Sequence, residues 1–470
     1  MEKACTSILV GKKATVDGSV MIARNDDTFL PLTPQRFVMR PAIAQARQLV
    51  SNQNGFKGNL PANGLRYAAT PNADVEKNGL FEESSINAAN VAVSATESVY
   101  GNPRALAYDP WVPNGLAEDC LPTMVVPYIQ SARQGVEYLG QLIAKYGSPE
   151  GNGILFADQN EAWYMEIVTG HHWAATRIPD DAYVITANQV AQQKIDFDDS
   201  QNYLWSKGIR EFVIEHSLNP EREAWNFRRI FGTNTEKDRH YNTPRVWYGQ
   251  RYLTPSIQQE PTSAELPFIC RADRLISIED LQYILGSHYN ETKFDPLGHG
   301  SAEDRLRFRP ISLNRTQNSH ILQLRNQVAK QNSAIMWLCF GIPSFAPYLP
   351  FYTNATAVPD SWSQTPLTFD LKSAYWLYRA VSMLTETHYA QFIQKDADYL
   401  TACRQVIYQF LQQTDNKAAK ISPDKVPVYL AEQNQNLATM IEKKTLQQVS
   451  DYISQGLTLS KLTFNMDKNL

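Results

Sequence analysis

A chain of 470 residues that is 43% hydrophobic has material for a large buried core and length for two or three domains. Its 44 basic and 48 acidic residues leave a formal charge of −4, which argues against a nucleic acid or other polyanionic partner. No apolar run reaches the roughly 18 residues that a membrane helix needs, so no membrane partner is expected either.

The first stretch of the chain carries the chemistry. Residues 1–4 form a short polar leader, followed by Cys5-Thr6-Ser7-Ile8-Leu9-Val10-Gly11. A free thiol titrates at about 8.5 and is mostly protonated at neutral pH, so a cysteine nucleophile needs a base or a positive charge beside it. An α-amine titrates at about 7.7–8.0 and supplies that base from within the same residue once the residue becomes N-terminal. Cys5 is therefore read as a nucleophile exposed by removal of residues 1–4, a leader too short and too polar for a signal peptide. Residues 6–10, β-branched and aliphatic, predict a buried strand that holds Cys5 at its head.

Asp17-Gly18 is a hairpin signal between two apolar runs, and it predicts that residues 20–23 return beside residues 6–10. The hairpin brings Arg24, Asp26 and Asp27 back to Cys5, where an arginine favours the thiolate and a carboxylate holds the α-amine.

The pattern Cys-Thr-Ser-Ile-Leu-Val-Gly, then Asp-Gly-Ser, then Ala-Arg-Asn-Asp-Asp resembles the bacterial dipeptidase A family. Those are cysteine peptidases of the N-terminal-nucleophile (Ntn) hydrolase superfamily, related to penicillin V acylase and the bile salt hydrolases. The resemblance implies Cys5 as nucleophile, Arg24 as its charge partner and Asp27 as ligand of the freed amine, with Asp26 as neighbour. It also implies an αββα sandwich of two stacked antiparallel sheets flanked by helices, where the residue pattern alone yields α+β.

Further along, residues 36–40 and 65–70 read as short strands around a Gly, Asn and Gln-rich loop at 51–64. Residues 90–98 form an apolar strand ending in Ser-Ala-Thr-Glu-Ser. By resemblance Thr96 stands where acylase relatives place an oxyanion-hole asparagine, and Glu97 is a candidate for a substrate ammonium, as is Asp26. Apolar residues at spacings of three and four predict an amphipathic helix over 128–146. Strand signals at 153–157, 162–168, 173–178 and 183–187 follow, joined by short turns, and predict an antiparallel meander.

The last of these strands delivers Asn188, which the resemblance implies as oxyanion donor, a task suited to a neutral amide. His171-His172 does not read as a metal site, because adjacent strand residues face opposite ways. Residues 202–229 read as helical and tryptophan-rich. Beyond them Arg245 matches a late arginine that lies near the nucleophile in the acylase relatives, and its planar fork suits a substrate carboxylate. Ser277 is read as the cap of a helix opening at Ile278, and residues 298–301 as a loop. Residues 334–340 and 348–352 read as core strands, and residues 370–454 as largely helical.

Three domain segments are expected: the leader 1–4, a catalytic domain over 5–365, and a helical extension over 366–470 packed on that domain or on a subunit interface. The other cysteines, Cys120, Cys270, Cys339 and Cys403, have no spacing suited to zinc or a disulfide framework, which fits a reducing cytoplasm. No cofactor and no metal are expected, and a homo-oligomer is. Three functions stay open at this level: a dipeptidase of broad side-chain tolerance, an acylase for a penicillin or conjugated bile acid, and a non-catalytic binding protein whose leader is never removed.

Overall fold

The computed structural model describes residues 5–222, 224–460 and 462; the expected leader, residues 1–4, lies outside the described residues, as do the side chains of Thr96 and Glu97. Among the described residues, two large antiparallel sheets make up the centre. One has seven strands, in the order Ile269–Cys270, Tyr183–Thr186, Thr6–Val10, Val20–Asp27, Thr316–Leu324, Ala334–Phe340 and Leu349–Tyr352. The other has eight, in the order Tyr203–Trp205, Trp173–Ile178, Ala162–Ile167, Asn152–Ala157, Ala92–Ser98, Ser84–Asn87, Tyr67–Ala69 and Val38–Arg40.

Strand alternation shows how the layers stack. Leu155, Ala157, Ala162 and Tyr164 share one core with Leu9, Ile22 and Leu322 of the facing sheet. The intervening Ile154, Phe156, Trp163 and Met165 join Val136, Leu139 and Ile143 of helix Ala132–Tyr146 in a second core. A period-2 strand buried on both faces needs apolar residues at every position, which is why these segments lack a polar side. Helices Thr243–Leu253, Ile278–Leu285 and Ala374–Thr387 contribute to the core around the seven-stranded sheet. The result is the expected αββα sandwich. The long helices Tyr389–Ala418 and Val426–Thr458 follow, and no helix among the described residues is long and apolar enough to cross a membrane.

The hairpin forms as its turn predicts, with Gly18 at φ +73°, a left-handed conformation that glycine adopts without a Cβ penalty. Its second strand runs on to Asp27, and Ser7 stands opposite Arg24. Ser277 caps its helix in a reciprocal box with Asp280. The three strands from Asn152 to Ile178 form a meander, but Tyr183–Thr186 leaves it and pairs with Thr6–Val10 in the other sheet. A short turn signals a reversal, and it does not determine which sheet accepts the next strand.

Other local expectations change for physical reasons. The helix read over 128–146 begins at Ala132, because the Ser131 hydroxyl caps it by accepting from the Gln134 N–H. The loop read over 51–64 contains Lys57–Leu60, which pairs with Arg47–Val50 in a separate two-stranded ribbon. Residues 202–229 hold an edge strand, Tyr203–Trp205, and two short helices, Ile209–Glu215 and Phe227–Phe231. Their aromatic residues converge on a satellite core with Phe197 and Trp225 rather than lying along one helix face. Thr316–Leu324 carries no apolar pattern in its first half, Thr316-Gln317-Asn318-Ser319-His320, yet it pairs with Val20–Asp27 along nearly its whole length.

Candidate active site

Cys5 lies at the head of the first strand, where Thr6 stands opposite Asn25, and it is fully buried. The Arg24 guanidinium reaches it from the neighbouring strand, donating from Nη1 to the Cys5 sulfur at 2.9 Å. Nη2 donates to Glu83 Oε2 at 2.6 Å and to the Ala95 carbonyl at 3.0 Å, and Nε donates to Ser94 Oγ at 3.1 Å. Arg24 and Glu83 have no exposed surface, and charges so placed persist only when paired and hydrogen-bonded. Burial opposes the Arg24 charge, but Cys5, Glu83 and Asp26 more than offset it, so the guanidinium is held above its ordinary value. Burial pushes the Cys5 thiol up; Arg24 pulls it down, and Asp26, Glu83 and Asp27 add to the rise.

Asp26 and Asp27 are both buried and stand on different partners. Asp26 Oδ2 accepts from Gln35 Nε2 at 2.5 Å and from Asn318 Nδ2 at 3.3 Å, while its Oδ1 lies 4.0 Å from Arg24 Nη1. Asp27 accepts from Arg309 Nη2 on one oxygen and from Thr316 Oγ1 on the other.

The far side of Cys5 is built by Asn188 and Arg245. Asn188 follows the strand that pairs with the other edge of Thr6–Val10, Ser7 standing opposite Thr186. Its Nδ2 donates to the Ser98 carbonyl at 3.0 Å, and its Oδ1 accepts from Arg245 Nη2 at 2.8 Å. Arg245, on helix Thr243–Leu253, also donates to the Cys5 carbonyl, to Thr6 Oγ1 at 3.0 Å, to Asn242 Oδ1 at 2.8 Å and to the Tyr241 carbonyl at 2.8 Å. A guanidinium has five N–H groups, and these contacts engage all of them, leaving no fork for a substrate carboxylate. The segment behind Asn188 is pinned by the buried Glu166, which accepts from the N–H groups of Ala191 at 2.6 Å and Gln192 at 3.3 Å.

Cys5, Arg24, Asp26, Asp27, Asn188 and Arg245 thus gather at one end of the seven-stranded sheet. The strand bearing Thr96 and Glu97 has a register shift between Ala95 and Glu97. His171 and His172 point to separate partners, Asp109 at 2.9 Å and Ser206 at 3.0 Å. Among the described residues no group of three or more His, Cys, Asp or Glu is arranged to hold a metal ion.

Sequence reasoning missed Glu83, Ser94, Asn318, His320 and Arg309. Ser94 lay inside a motif already singled out, and Glu82-Glu83 are adjacent carboxylates just before a strand. For the other three no local signal existed: Asn318 and His320 meet the site through the pairing of Thr316–Leu324 with the second strand, and Arg309, ahead of that strand, through its ion pair with Asp27.

Residues 4–402 match the model of peptidase family C69. The chain is 53% identical over 468 residues to a "Probable dipeptidase" of Latilactobacillus sakei, covering 99% of this chain and 98% of the relative. It is 38% identical over 469 residues to "Dipeptidase A" of Lactobacillus helveticus, covering 98% of each. A solved variant of the conjugated bile acid hydrolase from Clostridium perfringens overlaps 71% of this chain and 88% of its own at 9% identity, with a TM-score of 0.30. With the family model spanning most of its length and relatives aligned nearly end to end, the chain belongs to peptidase family C69 and is a cysteine-type peptidase.

Proposed function

We propose that this peptidase hydrolyses free dipeptides of varied side chains, using Cys5 as an N-terminal nucleophile after residues 1–4 are removed. The names of its relatives support the dipeptidase reading. The observation that carries the mechanism is the fully buried Arg24 guanidinium donating to the Cys5 sulfur at 2.9 Å.

In this reading the freed α-amine of Cys5, held by Asp27, takes the thiol proton, and the thiolate attacks the peptide carbonyl carbon. Asn188 Nδ2 and neighbouring backbone N–H groups receive the oxyanion. Collapse of the tetrahedral intermediate breaks the C–N bond, the α-ammonium returns its proton to the leaving amine, and a thioester remains. Water, deprotonated by the α-amine, releases the acyl group and regenerates the thiol. Arg245 holds the Cys5 carbonyl and Asn188 in fixed relation, so nucleophile and oxyanion donor are placed by one side chain.

The test is intact mass and activity together. The purified protein is expected to begin at Cys5, and Cys5→Ala to retain residues 1–4 and lose turnover. A Cys5→Ala protein that hydrolyses dipeptides at the wild-type rate would overturn the proposal.

A further inference from the structure

A one-way hydrogen-bond relay ends on Arg24. Asp26 Oδ2 accepts from Asn318 Nδ2, which also donates to Gln35 Oε1 at 2.5 Å, so the amide of Asn318 turns its oxygen away from them. That oxygen faces His320 Nδ1 at 2.8 Å, and it accepts, so Nδ1 carries the ring proton. His320 Nε2 is then an acceptor and takes the hydroxyl proton of Ser94 at 2.8 Å. Ser94 Oγ, its own hydrogen directed to the ring, offers a lone pair to Arg24 Nε at 3.1 Å. A carboxylate that can only accept thus sets the polarity of every bond up to the guanidinium. The relay crosses both sheets: His320 stands opposite Arg24 in one, and Ser94 lies in the other.

Glu83 acts on the same guanidinium from its far end, 2.6 Å from Nη2, and offsets the positive charge that Nη1 presents to the sulfur. Resting on the reading of Cys5 as nucleophile, we propose that Ser94, His320 and Glu83 are positioning residues for it: the relay aims the Arg24 guanidinium at the sulfur and Glu83 tempers its charge. The two devices push the thiol in opposite directions. Loosening the relay lets Arg24 turn away, and thiolate is lost; removing the Glu83 charge leaves the guanidinium less balanced, and thiolate is gained. The other charged groups that face the site are Asp26, Asp27 with its partner Arg309, and Arg245 on the Cys5 carbonyl. Burial and the Arg24 charge hold His320 well below its ordinary value, so it stays neutral and the relay keeps its direction.

The experiment is the pH dependence of Cys5 alkylation by iodoacetamide, read by peptide mass on the full-length protein after its own processing, beside kcat and KM for a dipeptide. Ser94→Ala is expected to move the midpoint up and Glu83→Gln to move it down, each by about one unit, a tenfold change in thiolate at fixed pH. His320→Phe should follow Ser94→Ala, and His320→Gln, whose amide oxygen can accept from Ser94, should restore the wild-type midpoint. In Ser94→Ala kcat should fall with KM unchanged. Shifts of the same sign in Ser94→Ala and Glu83→Gln, or no shift in either, overturn the proposal, since general loosening moves both alike. Should Glu83→Gln not fold, the two His320 variants and Ser94→Ala decide it: an upward shift reversed by His320→Gln supports it, and an unmoved midpoint overturns it. Activity in Cys5→Ala would remove the nucleophile reading, while the alkylation midpoints would still judge the relay.

Discussion

The guanidinium of Arg24 meets a sulfur, a carboxylate, a carbonyl and a hydroxyl from three of its nitrogens at once, and no other side chain has that many donors in one plane. A lysine would keep the charge but present it from a single nitrogen. Arg24→Lys is therefore expected to lower kcat by at least about a hundredfold, in the range of about 2.7 kcal/mol or more of transition-state stabilisation, and to destabilise the fold by leaving Glu83 poorly paired. Steady-state kinetics and urea denaturation of the same preparation check both parts. Arg245 makes the complementary case. Because its donors hold the Cys5 carbonyl and Asn188, Arg245→Lys should reduce kcat with little change in KM. A raised KM with unchanged kcat would instead assign it to substrate binding.

At the scale of elements, Asn188 depends on how the chain leaves the strand Tyr183–Thr186, and Glu166 on Ala162–Ile167 of the opposite sheet fixes that exit. Burial raises the Glu166 carboxyl to about 7, against hydrogen bonds from Ala191 and Gln192 that favour its ionised form. The sign follows from proton uptake. Between about 4.3, the ordinary glutamate value, and about 7 the folded protein binds more protons at this site than the unfolded chain does. Stability from Glu166 is thus fully present below that window and declines as pH rises through it. Glu166→Gln, which has no proton to release, should flatten the pH dependence of the urea midpoint between pH 5 and 8. An unchanged slope would show that Glu166 does not titrate in that window.

At the scale of the whole molecule, the buried Cys5 and Arg24 stand against Ser94 of the facing sheet, and in the proposed reading the charged ends of a dipeptide are matched beside them. A dipeptide carries an ammonium and a carboxylate at a fixed separation, so a pocket built for it leaves a buried charge unmatched when the substrate is blocked or lengthened, at about 1–3 kcal/mol per lost contact. N-acetylated dipeptides and tetrapeptides are expected to show kcat/KM at least tenfold below free dipeptides, about 1.4 kcal/mol. Penicillin V and a glycine-conjugated bile acid belong in the same comparison, and faster turnover of either would assign the chain to amide acylases instead.

What the sequence determined by itself was local: the strand behind Cys5, the Asp17-Gly18 reversal, the Ser277 cap and the return of Arg24, Asp26 and Asp27 toward Cys5. Each follows from residues within one hairpin or one helical turn, where β-branching, left-handed glycine and side-chain capping act over a few bonds. Asn188 and Arg245 were legible through resemblance, but their mutual hydrogen bond was not. The tertiary structure alone decided that Tyr183–Thr186 joins the first strand rather than the meander, and that a polar segment, Thr316–Leu324, becomes a central strand. Asn318 and His320 break the apolar alternation by which a buried strand is recognised. They are tolerated between two sheets because Asp26, Gln35 and Ser94, supplied from elsewhere in the chain, satisfy their hydrogen bonds together with the bond between Asn318 and His320 themselves.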